Sequence, residues 1–155
     1  MELKKDVVLN ILSKEKIMYV GTTNGKYPDN SAVCFAYDEE FNLYFGSYSD
    51  TLKCKYISTN HYVAITVNTL QIHGVAKIIP YGSEEYINKR KIYDNRFPMY
   101  KSIFEKIDNE LYEISPYVIW HYNPSVGEMN RDEIILNMDY YNSISPYKFH
   151  EYKNR

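Results

Sequence analysis

Residues 45–56, FGSYSDTLKCKY, set Ser47, Ser49 and Thr51 at alternate positions with Lys53 two residues further on. An apolar, strand-like run enters this stretch, and Leu52, Tyr56 and Ile57 leave it at helical spacing, so the hydroxyls fall where a short helix begins. The first turn of a helix offers backbone N–H groups with no internal partner and the positive end of the macrodipole. With hydroxyls and a lysine added, such a start seats a phosphate. The same residues also suit an ordinary capped helix with a solvated lysine face, since Ser and Asp are common N-caps and most lysines are exposed.

Other reactive residue types are sparse. His61, His73, His121 and His150 stand singly, without H-E-x-x-H or another metal spacing, and single histidines on strands are usually packed or exposed. Cys34 and Cys54 are the only cysteines and lack metal-ligand spacing, which predicts idle thiols and neither a disulfide framework nor a metal site.

The elements that position these residues follow from periodicity. Leu3, Val7, Val8, Ile11 and Leu12 predict an amphipathic N-terminal helix. IMYVGTT (17–23) and SAVCFAY (31–37) read as strands around Asn24-Gly25, a hairpin signal lengthened by KYPDN. DEEFN (38–42) turns into the strand LYFGSY (43–48), so the first three strands form an antiparallel meander. YVAITVN (62–68) pairs with QIHGVAKIIPY (71–81), where Gly74 marks a bulge or a close backbone approach. Ser83 with Glu84 and Glu85 starts a helix to about Arg96, interrupted by Pro98, and a second short helix covers 99–107. LYEISPYVIWHYN (111–123) is β-like with an edge or break at Pro116, and EIILNMDYY (133–141) is a last strand.

Five or six strands joined mostly by short turns point to an antiparallel barrel. With no composition break, residues 1–155 read as one domain. The balance of 18 basic against 20 acidic residues, a formal charge of −2, argues against a general nucleic-acid binder. No apolar run approaches a membrane span and the N-terminus is charged throughout, so a cytoplasmic protein without a membrane partner is expected. Eighteen tyrosines suit half-buried sheet faces and interfaces with one wet edge.

The order of these elements, from LSKEKIMYVGTT through FGSYSDTLKCKYISTN to QIHGVAKII, resembles the pyridoxamine 5′-phosphate oxidase-like family of FMN-binding split barrels. Its small general-stress-protein-like and nitroimidazole-resistance-like members are the nearest in pattern. The resemblance spans residues 5–82 and rests on Thr22, Gly25, Pro28, the strand 31–37, Ser47 or Ser49, and Lys53. It implies a mainly β fold, an antiparallel FMN-binding split β-barrel with added helices. It also implies that FMN places its phosphate at the strand-to-helix junction, held by Ser47, Ser49, Thr51 and Lys53.

In the family the second strand passes beside the isoalloxazine ring. On that resemblance Asn30, Ser31, Ala32 and Val33 offer backbone groups to its polar edge, with Asn68 and Thr69 as further candidates. Trp120 would lie near the dimer-related flavin, and the segment 83–107 would cover the ring and select the acceptor. The implied protein is a homodimer with flavin at the subunit boundary, an FMN-dependent oxidoreductase acting between a small-molecule electron donor and acceptor. A nonenzymatic flavin-binding or stress-response module and a haem-binding relative are the alternatives. The arginine-containing substrate motif of true pyridoxamine phosphate oxidases is not recognisable after residue 130.

Overall fold

The computed structural model describes residues 2–106, 108–122 and 131–143. Helix α1 (Lys5–Lys14) turns Val8 and Leu12 into the core. In β1 (Ile17–Thr23) strict alternation buries Met18, Val20 and Thr22 and leaves Ile17 and Tyr19 outside. Asn24 Oδ1 then accepts from the N–H groups of Lys26 and Tyr27 at 2.9 and 2.8 Å while Gly25 takes φ 94°. That closes the turn early, so residues 28–30, read from sequence as loop, already belong to β2 (Pro28–Cys34) and pair with β1. Pro28 stands at the first strand position, where its missing N–H costs least.

The run 31–37 does not continue straight. Phe35 is fully buried and its N–H donates to Lys16 O at 3.2 Å, which bends the chain between β2 and the two-residue β3 (Ala36–Tyr37). β2 pairs with β1, whereas β3 pairs with β4 (Leu43–Tyr48). The strand order is β2-β1-β5-β6-β7-β4-β3, with β5 (Tyr62–Val67), β6 (Leu70–Ile79) and β7 (Asn109–Tyr122), and every ladder is antiparallel. Both ends of that order come from one bent run, so the sheet curls back on itself and parts between β2 and β4. This is the split barrel, and its interior is filled by Met18, Val20, Phe35, Leu43, Phe45, Ile65, Ile72 and Ile114.

Pro116 does not end β7, but it stands where the strand is locally unpaired on one side. β7 runs unbroken for 14 residues, pairing with β4 up to Ile114 and with β8 (Arg131–Ile135) from Val118. Proline falls in the gap between these two ladders, where no neighbour on that side needs its N–H. Gly74 faces it at a register shift where Tyr117 is the extra residue on β7. The last strand stops at Ile135, and Met138–Ser143 forms helix α4, so the β reading of 133–141 holds only for its first three residues.

Helix α3 (Glu84–Arg96) begins as its sequence predicts, with Ser83 Oγ accepting from Tyr86 N–H at 3.0 Å. Residues 98–105 form a 3₁₀ helix (Pro98–Glu105). Tyr86, Tyr93, Phe97 and Phe104 pack with Tyr44, Ile79 and Leu111 in a second core outside the barrel. Arg96 Nη2 donates to Leu12 O at 2.9 Å and to Glu15 O, and its guanidinium lies 4.9 and 4.8 Å from the rings of Phe35 and Tyr37. It thus serves carbonyls that the end of α1 leaves open.

An ionic cluster holds α3 to the sheet: Glu85 accepts from Lys77 at 2.8 Å and Lys89 at 2.6 Å, and Lys89 also reaches the buried Glu113 of β7. The bonds from Lys77 and Lys89 hold the Glu85 carboxyl at about 2, below its ordinary 4.5. A carboxyl depressed in this way stabilises the fold above about pH 4.5, and the contribution is lost as pH falls from there toward 2. Because the Glu85 side chain is 39 % exposed, screening reduces the effect to about 1 kcal/mol. Urea unfolding at about pH 5.5 and about pH 3 should show wild type losing about 1 kcal/mol more than Glu85→Gln. Equal losses would remove Glu85 from the acid response.

Candidate functional site

At the split, a cavity of about 320 Å³ opens beside β2 and β4. Ala32, Val33 and Cys34 line it from β2, and Gly46, Ser47 and Tyr48 from β4. Thr51 and Lys53 reach it from the start of α2 (Leu52–Thr59). Tyr93 of α3, Tyr100, Ile103 and Phe104 of the 3₁₀ helix, and Asn109 at the start of β7 complete the lining. β2 is the terminal strand of the sheet among the described residues, so one of its edges presents backbone N–H and C=O groups with no described strand beside them. Among the described residues Lys53 is the one charged residue in the lining.

At the strand-to-helix junction Thr51 is the N-cap of α2, yet its side chain makes no capping bond. Instead Thr51 Oγ1 donates to Tyr48 O at 3.0 Å and lies 3.1 Å from Ser47 Oγ. The hydroxyls are gathered against one carbonyl, and the first-turn N–H groups of α2 have no side-chain acceptor from the cap. Lys53 is half-buried and makes no ion pair among the described residues. Asp50, whose charge would oppose an anion, is exposed and outside the lining. Two hydroxyls that donate to Tyr48 O, a lysine and a helix start therefore share one cavity.

Five of the residues singled out from sequence meet here: Ala32, Val33, Ser47, Thr51 and Lys53. Ser49 instead lines a neighbouring cavity of about 610 Å³ with Lys55, Ser58 and His61. Asn30 and Ser31 sit further back along β2, outside the lining, and Ser31 Oγ donates to Asp29 Oδ2 at 3.2 Å. Asn68 occupies the β5–β6 turn at φ 50° and donates to Glu15 Oε1 at 2.7 Å, while Thr69 O accepts from Tyr122 N–H. Trp120 is buried, donates from Nε1 to Glu133 Oε2 at 2.7 Å, and packs beneath the Arg131 guanidinium at 4.9 Å. None of these last three lines the split cavity.

Sequence reasoning missed the aromatic wall and the glycine beneath it. Gly46 carried a signal, a glycine inside the apolar strand LYFGSY, which marks close approach by another group. Phe104 carried none, because only the return of the chain after α3 brings it over β4.

A larger cavity of about 830 Å³ lies on the outer sheet face and touches Gly21, Ala64, His73 and Tyr117. Burial, with a smaller effect of Arg131, pushes His73 below its ordinary value, so its imidazole is neutral at pH 7. His150 lies outside the described residues. Among the described residues no group of His, Cys, Asp or Glu is placed to hold a metal ion, and no helix is long and apolar enough to cross a membrane.

No protein-family model matches the chain, and no curated protein sequence matches it. Solved structures do. A candidate pyridoxamine 5′-phosphate oxidase from Listeria innocua superposes with TM-score 0.63 at 20 % identity, over 74 % of this chain and 94 % of that one. An FAD-binding protein from Mesorhizobium loti gives 0.63 at 13 % identity, over 76 % and 92 %. The haem storage protein HutZ from Vibrio cholerae gives 0.64 at 16 % identity, over 75 % and 91 %. The fold is that of the pyridoxamine 5′-phosphate oxidase-like split barrels, a fold whose known structures include flavin binders and haem binders.

Proposed function

We propose that the chain binds FMN at the split of the barrel and acts as an FMN-dependent oxidoreductase between a small-molecule electron donor and acceptor. The observation that carries this reading is the meeting of an uncapped helix start, two hydroxyls and Lys53 with the open edge of β2 in one cavity. Lys53, Ser47 and Thr51 hold the phosphate together with the first N–H groups of α2. The β2 backbone at Ala32 and Val33 orients the polar edge of the ring, and Tyr93 of α3 shields it from solvent. The flavin itself supplies hydride and electron transfer, so the protein needs no acid–base constellation of its own. The flavin-binding Mesorhizobium structure supports the same cofactor class.

The acting form is a homodimer with the flavin at the subunit boundary. The outward positions of β1 and β5 are Ile17, Tyr19, Gly21, Thr23, Tyr62, Ala64 and Thr66, without one charge. Tyr19 and Tyr62 are 51 % and 41 % exposed there, a composition suited to an interface. Haem is the second reading, favoured by the neutral, half-buried His73 in the larger cavity and by the likeness to HutZ.

One preparation tests all of this. Purified protein should show flavin absorbance, release FMN on denaturation, and run as a dimer by light scattering at micromolar concentration. A Soret band in place of the flavin spectrum would establish the haem reading. A flavin-loaded monomer would remove the subunit-boundary arrangement. Saturable oxidation of NADH or NADPH above a free-FMN control marks the enzyme; its absence with FMN bound leaves a nonenzymatic flavin module.

A further inference from the structure

The wall opposite the phosphate seat contains a group that already fills part of the cleft. A Cβ placed on Gly46 would lie 2.0 Å from Phe104 Cζ and 2.5 Å from Cε1, so the Phe104 ring rests directly on the β4 backbone. Phe104 is 2 % exposed, with the Tyr93 ring edge-on at 4.9 Å and the Arg90 guanidinium 4.6 Å from its centroid. The ring occupies an aromatic slot with a glycine floor, beside the backbone edge of β2. The segment that carries it is held more lightly than the sheet. It is a 3₁₀ helix, whose hydrogen bonds are poorer than those of an α-helix, tied back by Arg90 Nη2 to Lys101 O at 2.7 Å and Asn109 Nδ2 to Ile103 O at 3.0 Å. It also leaves Met99, Tyr100 and Ile103 on the surface at 66, 37 and 38 % exposure.

The remaining cavity, about 320 Å³, is at the lower limit of drug-sized ligand pockets. We propose that residues 98–105 are a displaceable lid, and that Phe104 is an internal stand-in for the ring of the cofactor, leaving Gly46 when the isoalloxazine enters. The inference rests on the FMN reading of the cleft and adds to it a gate that sets cofactor affinity. With the lid shut, only the open fraction of molecules binds, and the apparent Kd rises in proportion.

Three measurements decide it. Phe104→Leu, which lightens the plug while keeping most of its volume, should tighten FMN and riboflavin alike, by about fivefold to tenfold. Weaker or unchanged binding of both would overturn the lid, because Phe104 would then be a fixed wall. In wild type, FMN should speed tryptic cleavage after Lys101 or Lys106 by about fivefold, since cleavage follows the open population; protection by FMN contradicts the proposal. Gly46→Ala needs no ligand: its methyl group should expel Phe104 and speed the same cleavage while far-UV circular dichroism is retained. Unchanged cleavage, or loss of the fold, overturns the lid. Wild type that binds no FMN while Gly46→Ala opens the segment would refute the cofactor reading and leave the lid standing.

Discussion

Lys53→Ala is expected to weaken FMN binding by about 1.5–3 kcal/mol, the range for a hydrogen bond to a charged group, and to leave riboflavin binding nearly unchanged. In dissociation constants this is about 10- to 150-fold for FMN alone. The asymmetry follows from position. Lys53 stands in the first turn of α2 beside the Ser47 and Thr51 hydroxyls, and riboflavin has no phosphate to meet it. Among the described residues it is the one charged group in the lining, so no second cation there compensates. Calorimetric titration of both ligands separates the outcomes: equal losses would make Lys53 a support of the fold and would move the phosphate elsewhere. Lys53→Arg should recover part of the FMN affinity, because the charge returns with a different reach.

Gly74→Ala should cost about 2–3 kcal/mol and lower Tm by about 4–12 °C. The added Cβ would lie 2.8 Å from Ile114 Cγ2, 2.8 Å from Ser115 O and 3.2 Å from Pro116 Cα. Two of these three atoms are backbone of β7, the strand that pairs with β6, β4 and β8, so the clash cannot be relieved by a rotamer change. Gly25→Ala provides the comparison, since its new methyl group meets nothing within 4 Å and only its φ of 94° opposes it. That variant should lose about 1–2 kcal/mol, the usual penalty of the left-handed region. Thermal unfolding of the pair measures the difference. A Gly74→Ala protein as stable as wild type would mean that the β6–β7 register is free to shift.

Most of the strands, the N-terminal helix, the Ser83 cap of α3 and the strand-to-helix junction at residues 47–53 were legible in the chain, because each is a local signal. Alternation of period two buries Met18, Val20 and Thr22 whatever lies beyond them, and a Ser followed by two acids caps a helix without knowledge of the rest. The glycine of IHGVA likewise announced a close approach, though not which backbone would make it.

What only the tertiary structure decided were relations between residues distant in sequence. The bend at Phe35, which parts β2 from β3 and opens the cleft, depends on burial and on a bond to Lys16 that local composition does not encode. Pro116 reads as a break because a proline lacks an N–H, but its cost depends on whether a neighbour stands opposite, and β4 and β8 leave a gap there. Ser47 and Ser49 are two residues apart and chemically alike, yet one lines the split cavity and the other does not, since the chain leaves β4 between them. Phe104 lies 58 positions after Gly46 and touches it through the packing of α3 and the 3₁₀ helix, a contact that no periodicity records. Type and spacing thus determined the fold class and the hydroxyl-and-lysine make-up of one strand-to-helix junction; the closing of the sheet determined which of those residues share a cavity and what stands over it.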